Sequence, residues 1–261
     1  MNTPHPTKQA EQSTNCEAIE GNAPRHNQNV DATEISKFNS QASQWWDVDG
    51  PYRTLHDINP ARVNWINDCT PLHGQHILDI GCGAGILSEA MAQMGVHVTG
   101  IDMAESLIEV AQNHAKTTNS SAQYHVSPAE AFIKSANNQV GQYDVITCLE
   151  MLEHVPDPSA VIQACQQLLK PGGHLFLSTI NRNVASFALA IVGAEYITNL
   201  IPKGTHQYRR FIKPSELSNV CRKHGFHVQA IEGLIYNPIT RRATTSTNIQ
   251  VNYLLHAQLN T

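Results

Sequence analysis

The sequence lacks several features that would assign it to particular classes of protein. Its 17 lysines and arginines are outnumbered by 22 aspartates and glutamates, so it has no basic excess of the kind that nucleic-acid-binding proteins show. None of its 6 cysteines forms a C-x-x-C pair, which argues against a disulfide framework or a zinc site and favours a reducing cytoplasm. Residues 1–30 contain neither an apolar signal segment nor the arginines of a transit peptide, and their polar composition predicts a disordered tail.

The most informative stretch is ILDIGCGAG, residues 77–85. Its apolar beginning predicts a buried strand over residues 76–80. Gly81, Gly83 and Gly85 predict a tight turn (the glycine turn, residues 81–85) that brings backbone close to a ligand. The following LSEAMAQMG predicts a helix whose N-terminus points back at this turn, as at the start of a doubly wound α/β nucleotide-binding domain. A glycine-rich turn without a ligand is the less favoured alternative.

The spacing of the glycines bears on which nucleotide binds. A dinucleotide fingerprint would have its third glycine at Ile86, one position later than Gly85. A second predicted strand, residues 96–102, ends in Asp102, whose carboxylate can accept hydrogen bonds from both hydroxyls of a ribose. The pattern resembles the S-adenosylmethionine (SAM) site of class I methyltransferases more than an NAD site. A nicotinamide-dependent reductase is the alternative.

Strand and helix patterns alternate along the chain, which predicts an α/β fold with a mostly parallel sheet and helices on both faces. Seven strands are predicted, over residues 76–80, 96–102, 124–127, 143–149, 174–180, 226–235 and 249–257. Four helices are predicted beside them. One begins at residue 86, and the others cover residues 104–116, 159–170 and 214–224. A turn is predicted at Pro171-Gly172-Gly173.

Two helices are predicted before the first strand. The DATE segment at residues 31–34 predicts a capping box that opens a helix through about residue 46. Asn59 and Pro60 predict the N-cap and the first residue of a second helix, which continues to residue 69.

These helices allow two interpretations. They pack on the sheet, or they form a lid over a cofactor in which Arg62 binds a carboxylate through two hydrogen bonds. The residues alone favour simple packing, because a single arginine near a helix start usually contributes only a weak ion pair.

Residues 183–213 depart from the alternating pattern. Segment 184–201 is mostly apolar, with Glu195 as its only charge. It is followed by a basic group, Lys203, His206, Arg209, Arg210 and Lys213. Glu195, Asn199 and Gly193 interrupt the apolar run and argue against a transmembrane helix. A lid that touches a membrane surface and a buried helical insertion fit this insertion equally well.

The EMLEH segment follows the fourth predicted strand directly, where ligands bind in parallel sheets. If it is helical, Glu150, Glu153 and His154 lie on one face. Two carboxylates and an imidazole predict a site for Mg²⁺ or another divalent ion, which would help an acceptor phenol to ionise. His154 acting alone as a general base is the second possibility. A solvated helix start without a ligand is the third.

The motifs together resemble those of ubiquinone-biosynthesis O-methyltransferases. In chain order they are WWD, INPAR, LDIGCGAGILSEAMA, VTGIDM, YDVITCLEMLEHVPDP, LKPGG, STINRN, VGAEYI, PKGTH, FIKP, YNP and VNYLLH. The glycine motif marks only the superfamily, whereas EMLEHVPDP with VGAEYI and PKGTH is far more specific. The resemblance leaves only the N-terminal tail uncovered.

The resemblance implies a Rossmann-like class I SAM-dependent methyltransferase domain over residues 31–261. Residues 31–70 would be a helical lid, and residues 183–213 an apolar and basic insertion. The implied reaction methylates the phenolic hydroxyls of 2-polyprenyl-6-hydroxyphenol and 3-demethylubiquinol. The implied location is the bacterial cytoplasm, with peripheral contact to the inner membrane and to other ubiquinone-biosynthesis proteins, and without a nucleic-acid partner.

The resemblance also implies roles for individual residues. The SAM-binding residues would be Arg62, Gly81, Gly83, Asp102 and Leu149. The Mg²⁺ ligands attributed to eukaryotic relatives match Glu150, Glu153 and His154, of which Glu150 and His154 would also be catalytic. The resemblance thus reverses the preference for a structural Arg62. A non-catalytic SAM-binding or lipid-binding module is a further alternative, against which the EMLEH segment argues.

Overall fold

The computed structural model describes residue 1 and residues 29–133, 140–183, 186 and 208–261. Most of the predicted tail, residues 1–30, and most of the predicted insertion, residues 183–213, lie outside the described residues. Within the described ranges, no helix combines the length and the apolar character needed to cross a membrane.

One mixed sheet organises the described part of the chain. Its eight strands are β1 (His76–Ile80), β2 (His97–Asp102), β3 (Gln123–Val126), β4 (Tyr143–Leu149), β5 (Leu169–Ile180), β6 (Phe226–Asn237), β7 (Arg242–Ser246) and β8 (Asn252–Leu259). Their order across the sheet is β3-β2-β1-β4-β5-β8-β6-β7. Neighbours among β1 to β5 are parallel, whereas β8 is antiparallel to β5 and β6, and β7 is antiparallel to β6. The chain order switches between β1 and β4, which is where doubly wound sheets bind ligands.

Helices cover both faces of this sheet. They are α1 (Ala32–Gln41), α2 (Arg53–Cys69), α3 (Ile86–Ala92), α4 (Glu105–Thr118), α5 (Ala129–Phe132), α6 (Pro158–Leu168) and α7 (Pro214–Lys223), with 3-10 turns at Ala42–Gln44, Leu152–His154 and Tyr208–Arg210. Apolar side chains of α2, α3 and α4 share one core cluster with Ile77, and those of α5, α6 and α7 share another with Leu78. Because adjacent residues of β1 enter opposite core layers, the strand is apolar throughout.

The parallel core matches its prediction closely. β1 and β4 have the predicted bounds, because continuous apolar runs buried on both faces give a clear signal. The predicted turn at Pro171-Gly172-Gly173 is wrong, because these residues lie inside β5. Leu169 pairs with Tyr143 and His174 pairs with Val145, so the intervening residues form a bulge in the strand pair.

The predicted count of seven strands is also wrong. β7 is an additional strand, with the sequence RATTS, at the edge of the sheet beside β6. Its side chains are exposed or half-buried, and it contains neither an apolar run nor a strict alternation. It therefore carries no strand signal of its own, and its pairing with β6 defines it.

The second N-terminal helix begins earlier than predicted. α2 runs from Arg53 to Cys69 with Pro60 inside it, so the predicted N-cap at Asn59 is wrong. Asn59 is buried and donates from Nδ2 to the carbonyl of Ile86 at 3.0 Å. Its amide therefore links α2 to the start of α3 instead of ending a helix.

The predicted cap of α1 is confirmed, but its length is not. Asp31 Oδ1 accepts hydrogen bonds from the backbone nitrogens of Thr33 and Glu34, at 3.0 and 3.4 Å. The helix ends at Gln41, and a 3-10 turn replaces the predicted continuation to about residue 46. Glu34 does not complete a capping box, because its carboxylate is bound to His154.

A pair of histidines, His256 buried and His174 half-buried, joins β5 to β8. His174 Nδ1 lies 2.9 Å from His256 Nε2, and the His256 ring stacks on Phe176 with 4.5 Å between centroids. Burial, with a smaller contribution from the charge of the nearby His174, lowers the pKa of His256 to about 4. Burial also lowers the pKa of His174. The folded protein therefore keeps both rings neutral at a pH that would protonate free histidine.

We predict that this pair makes the fold sensitive to acid. Unfolded His256 gains a proton as the pH falls through about 6.5, whereas folded His256 does so only near pH 4. Stability that is fully present above pH 6.5 is therefore lost as the pH falls towards 4. When the pH falls from 7 to 4.5, the free energy of unfolding should decrease in both proteins. The decrease should be roughly 1–3 kcal/mol smaller in His256→Gln than in the wild type.

Urea unfolding at both pH values measures this difference. His227→Gln, at an exposed histidine of β6, controls for removal of a histidine. An equal loss of stability in His256→Gln and the wild type would contradict the prediction.

Candidate functional site

A cavity of about 710 Å³ opens beside the carboxyl ends of β1, β2 and β4. It lies at the switch point between β1 and β4, and its volume falls in the range of ligand sites. All eight predicted site residues line it, namely Arg62, Gly81, Gly83, Asp102, Leu149, Glu150, Glu153 and His154.

The glycine turn packs closely against other parts of the protein. Gly81 and Gly83 have φ values of 71° and 56°, which side-chain-bearing residues rarely adopt. A Cβ on Gly83 would lie 2.9 Å from Trp45 Cζ2, and one on Gly81 would collide with the side chain of Met151. The missing Cβ atoms therefore make room for protein side chains as well as for any ligand.

Asp102 ties the glycine turn to the start of α4. Its Oδ2 accepts a hydrogen bond from the backbone nitrogen of Gly83 at 2.9 Å, and its Oδ1 accepts one from Ala104 at 2.8 Å. Burial raises the pKa of Asp102, while the backbone donors oppose that change. Each carboxylate oxygen still has a free lone pair, so both can accept a hydroxyl of a ligand.

Asp79 supports the turn from below, and the sequence interpretation did not single it out. It is buried, with Oδ1 accepting from Thr147 at 2.7 Å and Oδ2 accepting from Ser88 at 2.6 Å. Burial raises the pKa of Asp79 to about 6. These two bonds join β1 to β4 and to α3. An acidic residue inside an apolar strand was the available signal.

Arg62 lies in the wall of the cavity, on α2. It is 5% exposed, and its Nη2 donates to Glu150 Oε1 at 3.0 Å. The same carboxylate oxygen accepts from Ser178 Oγ at 2.8 Å. Arg62 Nε is buried and has no hydrogen-bond partner within the described residues. A buried donor without a protein partner beside a ligand-sized cavity is available to an acceptor atom of a ligand.

The EMLEH segment does not meet the condition for a shared face, which was a helical turn from Glu150 to His154. Glu150 has φ of 55°, in the left-handed region, and the 3-10 turn begins only at Leu152. The Glu150 backbone nitrogen donates to the carbonyl and to Oγ of Ser178, both at 3.1 Å. The strained conformation is thus held by β5, and Glu150 does not share a helical face with Glu153 and His154.

Glu153 is a buried acid on the cavity. It is 3% exposed, its Oε2 accepts from Thr179 at 2.8 Å, and its Oε1 has no hydrogen-bond partner within the described ranges. Burial, with a further contribution from the charge of Glu150, raises the pKa of Glu153 to about 7.

His154 is held by the N-terminal helix. Its Nδ1 lies 2.8 Å from Glu34 Oε2, and Phe38 packs against the ring edge-on at 5.2 Å. Burial lowers the pKa of His154, but the hydrogen bond to Glu34 and the charges of Glu153 and Glu34 outweigh it and raise the pKa overall. The same hydrogen bond lowers the pKa of Glu34. The sequence interpretation assigned Glu34 only to a helix cap.

The three predicted metal ligands do not converge. Each has a partner on a different element, with Glu150 bound to Arg62 of α2, Glu153 bound to Thr179 of β5 and His154 bound to Glu34 of α1. In the part of the chain that the structure describes, no group of three His, Cys, Asp or Glu residues could hold a metal ion. The arrangement does not fit the predicted divalent-ion site.

Comparison with known proteins shows which family model and which relatives the chain matches. Residues 65–231 match a family model described as a methyltransferase domain. A Marinobacter nauticus protein named ubiquinone biosynthesis O-methyltransferase is 52% identical over 233 residues, which are 89% of this chain and 98% of that protein. An Acinetobacter baumannii protein of the same name is 50% identical and covers 87% of this chain and 96% of its own length.

Solved structures show the same fold. Magnesium protoporphyrin IX methyltransferase (ChlM) from Synechocystis with bound SAH has a TM-score of 0.64 at 22% identity, over 88% of this chain and 100% of that one. The PH0226 protein from Pyrococcus horikoshii has a TM-score of 0.62 at 15% identity, over 85% and 98% of the two chains. These likenesses confirm the predicted Rossmann-like class I methyltransferase fold.

Glu153 leads to a prediction about stability. The pKa of Glu153 is about 7 in the folded protein and near 4.5 in the unfolded chain. The contribution of Glu153 to the free energy of unfolding is therefore full below pH 4.5 and is lost as the pH rises through 7. Glu153→Gln imitates the protonated acid. When the pH is raised from 5 to 8, the free energy of unfolding of this variant should rise by roughly 1–3 kcal/mol relative to that of the wild type.

Urea unfolding at these two pH values measures the gain. Glu105→Gln on α4 removes an exposed carboxylate and controls for the change in net charge. The same difference from the wild type at both pH values would show that Glu153 does not carry the raised pKa.

Proposed function

Because the chain belongs to the family of ubiquinone biosynthesis O-methyltransferases, we propose that it transfers the methyl group of SAM to a phenolic hydroxyl in ubiquinone biosynthesis. The observation that carries the proposal is 52% identity to a protein of that name over 89% of the chain. The cavity that collects all eight predicted site residues supports it. The proposed acceptors are 2-polyprenyl-6-hydroxyphenol and 3-demethylubiquinol.

The residues around the glycine turn fit SAM. Asp102 presents two acceptor oxygens for the ribose hydroxyls, and Arg62 Nε presents a buried donor for the carboxylate of the amino-acid group. Gly81 and Gly83 bring backbone to the cavity, and Leu149 offers an apolar side chain to the adenine. When bound, SAM supplies an electrophilic methyl group on a sulfonium.

His154 is the proposed proton acceptor. Glu34 holds its Nδ1, which leaves Nε2 to face an acceptor hydroxyl. With SAM bound as the methyl donor, Nε2 of His154 would take up the proton that the acceptor hydroxyl loses when its oxygen is methylated. Glu34 then stabilises the resulting imidazolium. Glu150 serves the reaction by orienting Arg62 through their 3.0 Å ion pair.

An apolar acceptor suits the remaining walls of the cavity. Several elements contribute apolar side chains there, including Ile35, Phe38, Leu55, Ile58, Leu234 and Val251. Such walls are compatible with the ring and the first part of a polyprenyl tail.

Contact with the inner membrane and with other ubiquinone-biosynthesis proteins stays a prediction, as does the location in the bacterial cytoplasm. Most of the insertion on which the membrane contact depends lies outside the described residues. Of its arginines, Arg209 is exposed, whereas Arg210 donates to Asp31 at 2.6 Å and is therefore engaged in the fold.

The requirement for Mg²⁺ also stays a prediction, and the observed arrangement does not support it. Glu150, Glu153 and His154 would each have to exchange a protein partner for the ion. The proposed role of His154 as proton acceptor does not depend on such an exchange.

We predict that Asp102→Asn raises the Kd of SAH at least tenfold. The amide keeps the size of the side chain but loses one acceptor oxygen and the charge that strengthens its hydrogen bonds. Isothermal titration calorimetry measures the change. An unaltered Kd would contradict the ribose role, and displacement of SAH by NADH would favour a reductase.

Asp144→Asn is the matched control. Asp144 also accepts a backbone hydrogen bond, from His76 at 3.0 Å, and pairs with Lys170 at the opposite end of the strands. This variant should lose stability and retain the wild-type Kd for SAH.

We predict that the purified protein methylates a short-tailed polyprenyl catechol with SAM, and that His154→Ala lowers kcat by roughly 10²–10⁴-fold. Mass spectrometry of the product measures both. Absence of methyl transfer would favour a non-catalytic SAM-binding or lipid-binding module. Full turnover in EDTA would contradict the Mg²⁺ prediction, whereas loss in EDTA that Mg²⁺ restores would support it.

A further inference from the structure

Trp46 is hydrogen-bonded to the glycine turn but, unlike Trp45, does not line the large cavity. Its indole Nε1 donates to the carbonyl of Ala84 at 2.9 Å. Ala84 is fully buried and lies between Gly83 and Gly85. The N-terminal segment thus holds the central peptide of the turn.

The Trp46 ring is itself fixed from the far side. His114 on α4 stacks parallel to it, with 3.5 Å between centroids and 5° between planes. His114 Nδ1 lies 2.8 Å from Oε1 of Glu89, a residue of α3 that is 2% exposed. Thr118 Oγ1 donates to the other oxygen of Glu89 at 2.9 Å. Residues of α3 and α4 therefore fix the indole ring of Trp46, which in turn is hydrogen-bonded to Ala84.

The conformation of the glycine turn makes the hydrogen bond from Trp46 to Ala84 important. Gly83 and Gly85 have φ values of 56° and 90°, so a residue with wide conformational freedom stands on each side of Ala84. Asp102 fixes the nitrogen of Gly83, and Trp46 fixes the carbonyl of Ala84. Without the second bond, the peptide that leads into α3 could rotate away from the cavity.

We infer that Trp46 is a positioning residue for SAM, acting through the carbonyl of Ala84, and that His114 and Glu89 act through Trp46. The inference rests on the proposed function and extends it to residues outside the cavity. It assigns the WWD segment of the sequence two separate tasks, because Trp45 packs on Gly83 while Trp46 binds Ala84.

Trp46→Phe tests the inference, because it keeps an aromatic ring beside His114 while the indole N–H donor is lost together with the five-membered ring. The Kd of SAH and the KM of SAM should each rise about five- to tenfold, as expected for one lost hydrogen bond. The kcat at saturating SAM and the KM of the acceptor should not change. A merely structural role would lower the melting temperature and leave the Kd of SAH as in the wild type, which would overturn the inference.

Trp65→Phe is the matched control. Trp65 is buried on α2, and its Nε1 has no hydrogen-bond partner within the described residues. The same chemical change therefore removes no hydrogen bond and should leave the Kd of SAH unaltered. A rise equal to that of Trp46→Phe would overturn the inference.

His114→Ala tests the supporting stack with a milder change, because that side chain is 28% exposed. It should raise the Kd of SAH about threefold in the wild type and not at all in Trp46→Phe. Full additivity of the two changes would overturn the assignment of His114. A wild-type protein that binds no SAH would refute the proposed function instead, so the two failures are distinguishable.

Discussion

The carboxylate of Asp79 is the constraint on which the site depends. It lies in the sheet under the glycine turn, where two hydroxyl groups replace the water it would otherwise bind. Because Thr147 belongs to β4 and Ser88 to α3, the bonds set both sides of the switch point. The position of α3 then determines where its N-terminus and the preceding turn face. Loss of Asp79 would loosen three elements together.

The same region carries more acids than bases. Asp79, Asp102, Glu150 and Glu153 line the cavity, and Arg62 is the strong cation among them. Each acid accepts hydrogen bonds from protein donors, which keeps a set of like charges tolerable. An acidic site of this kind favours a ligand that carries positive charge. A sulfonium group satisfies that condition, whereas the phosphates of a dinucleotide do not.

Local patterns were sufficient for the core of the fold and for those cavity residues that follow a strand. Continuous apolar runs defined β1 and β4, and the residues after them fell at the same edge of a parallel sheet because parallel strands end together. Gly81, Asp102 and Glu150 could therefore be assigned to one cavity, whereas Arg62 on α2 was assigned to it only through the family resemblance. Strand β7 could not be predicted, because its only definition is the pairing with β6.

Local patterns failed where distant residues decide a side chain's partner. Helical spacing placed Glu150, Glu153 and His154 on one face, yet Ser178 of β5 holds Glu150 in a left-handed conformation that ends this periodicity. Glu34 lies 120 positions before the histidine it binds, so a capping rule was the only local interpretation of that residue. A metal site that is inferred from sequence spacing assumes a particular backbone conformation between its ligands. Here tertiary hydrogen bonds, made by another strand and by the N-terminal helix, determine that backbone and the directions of its side chains.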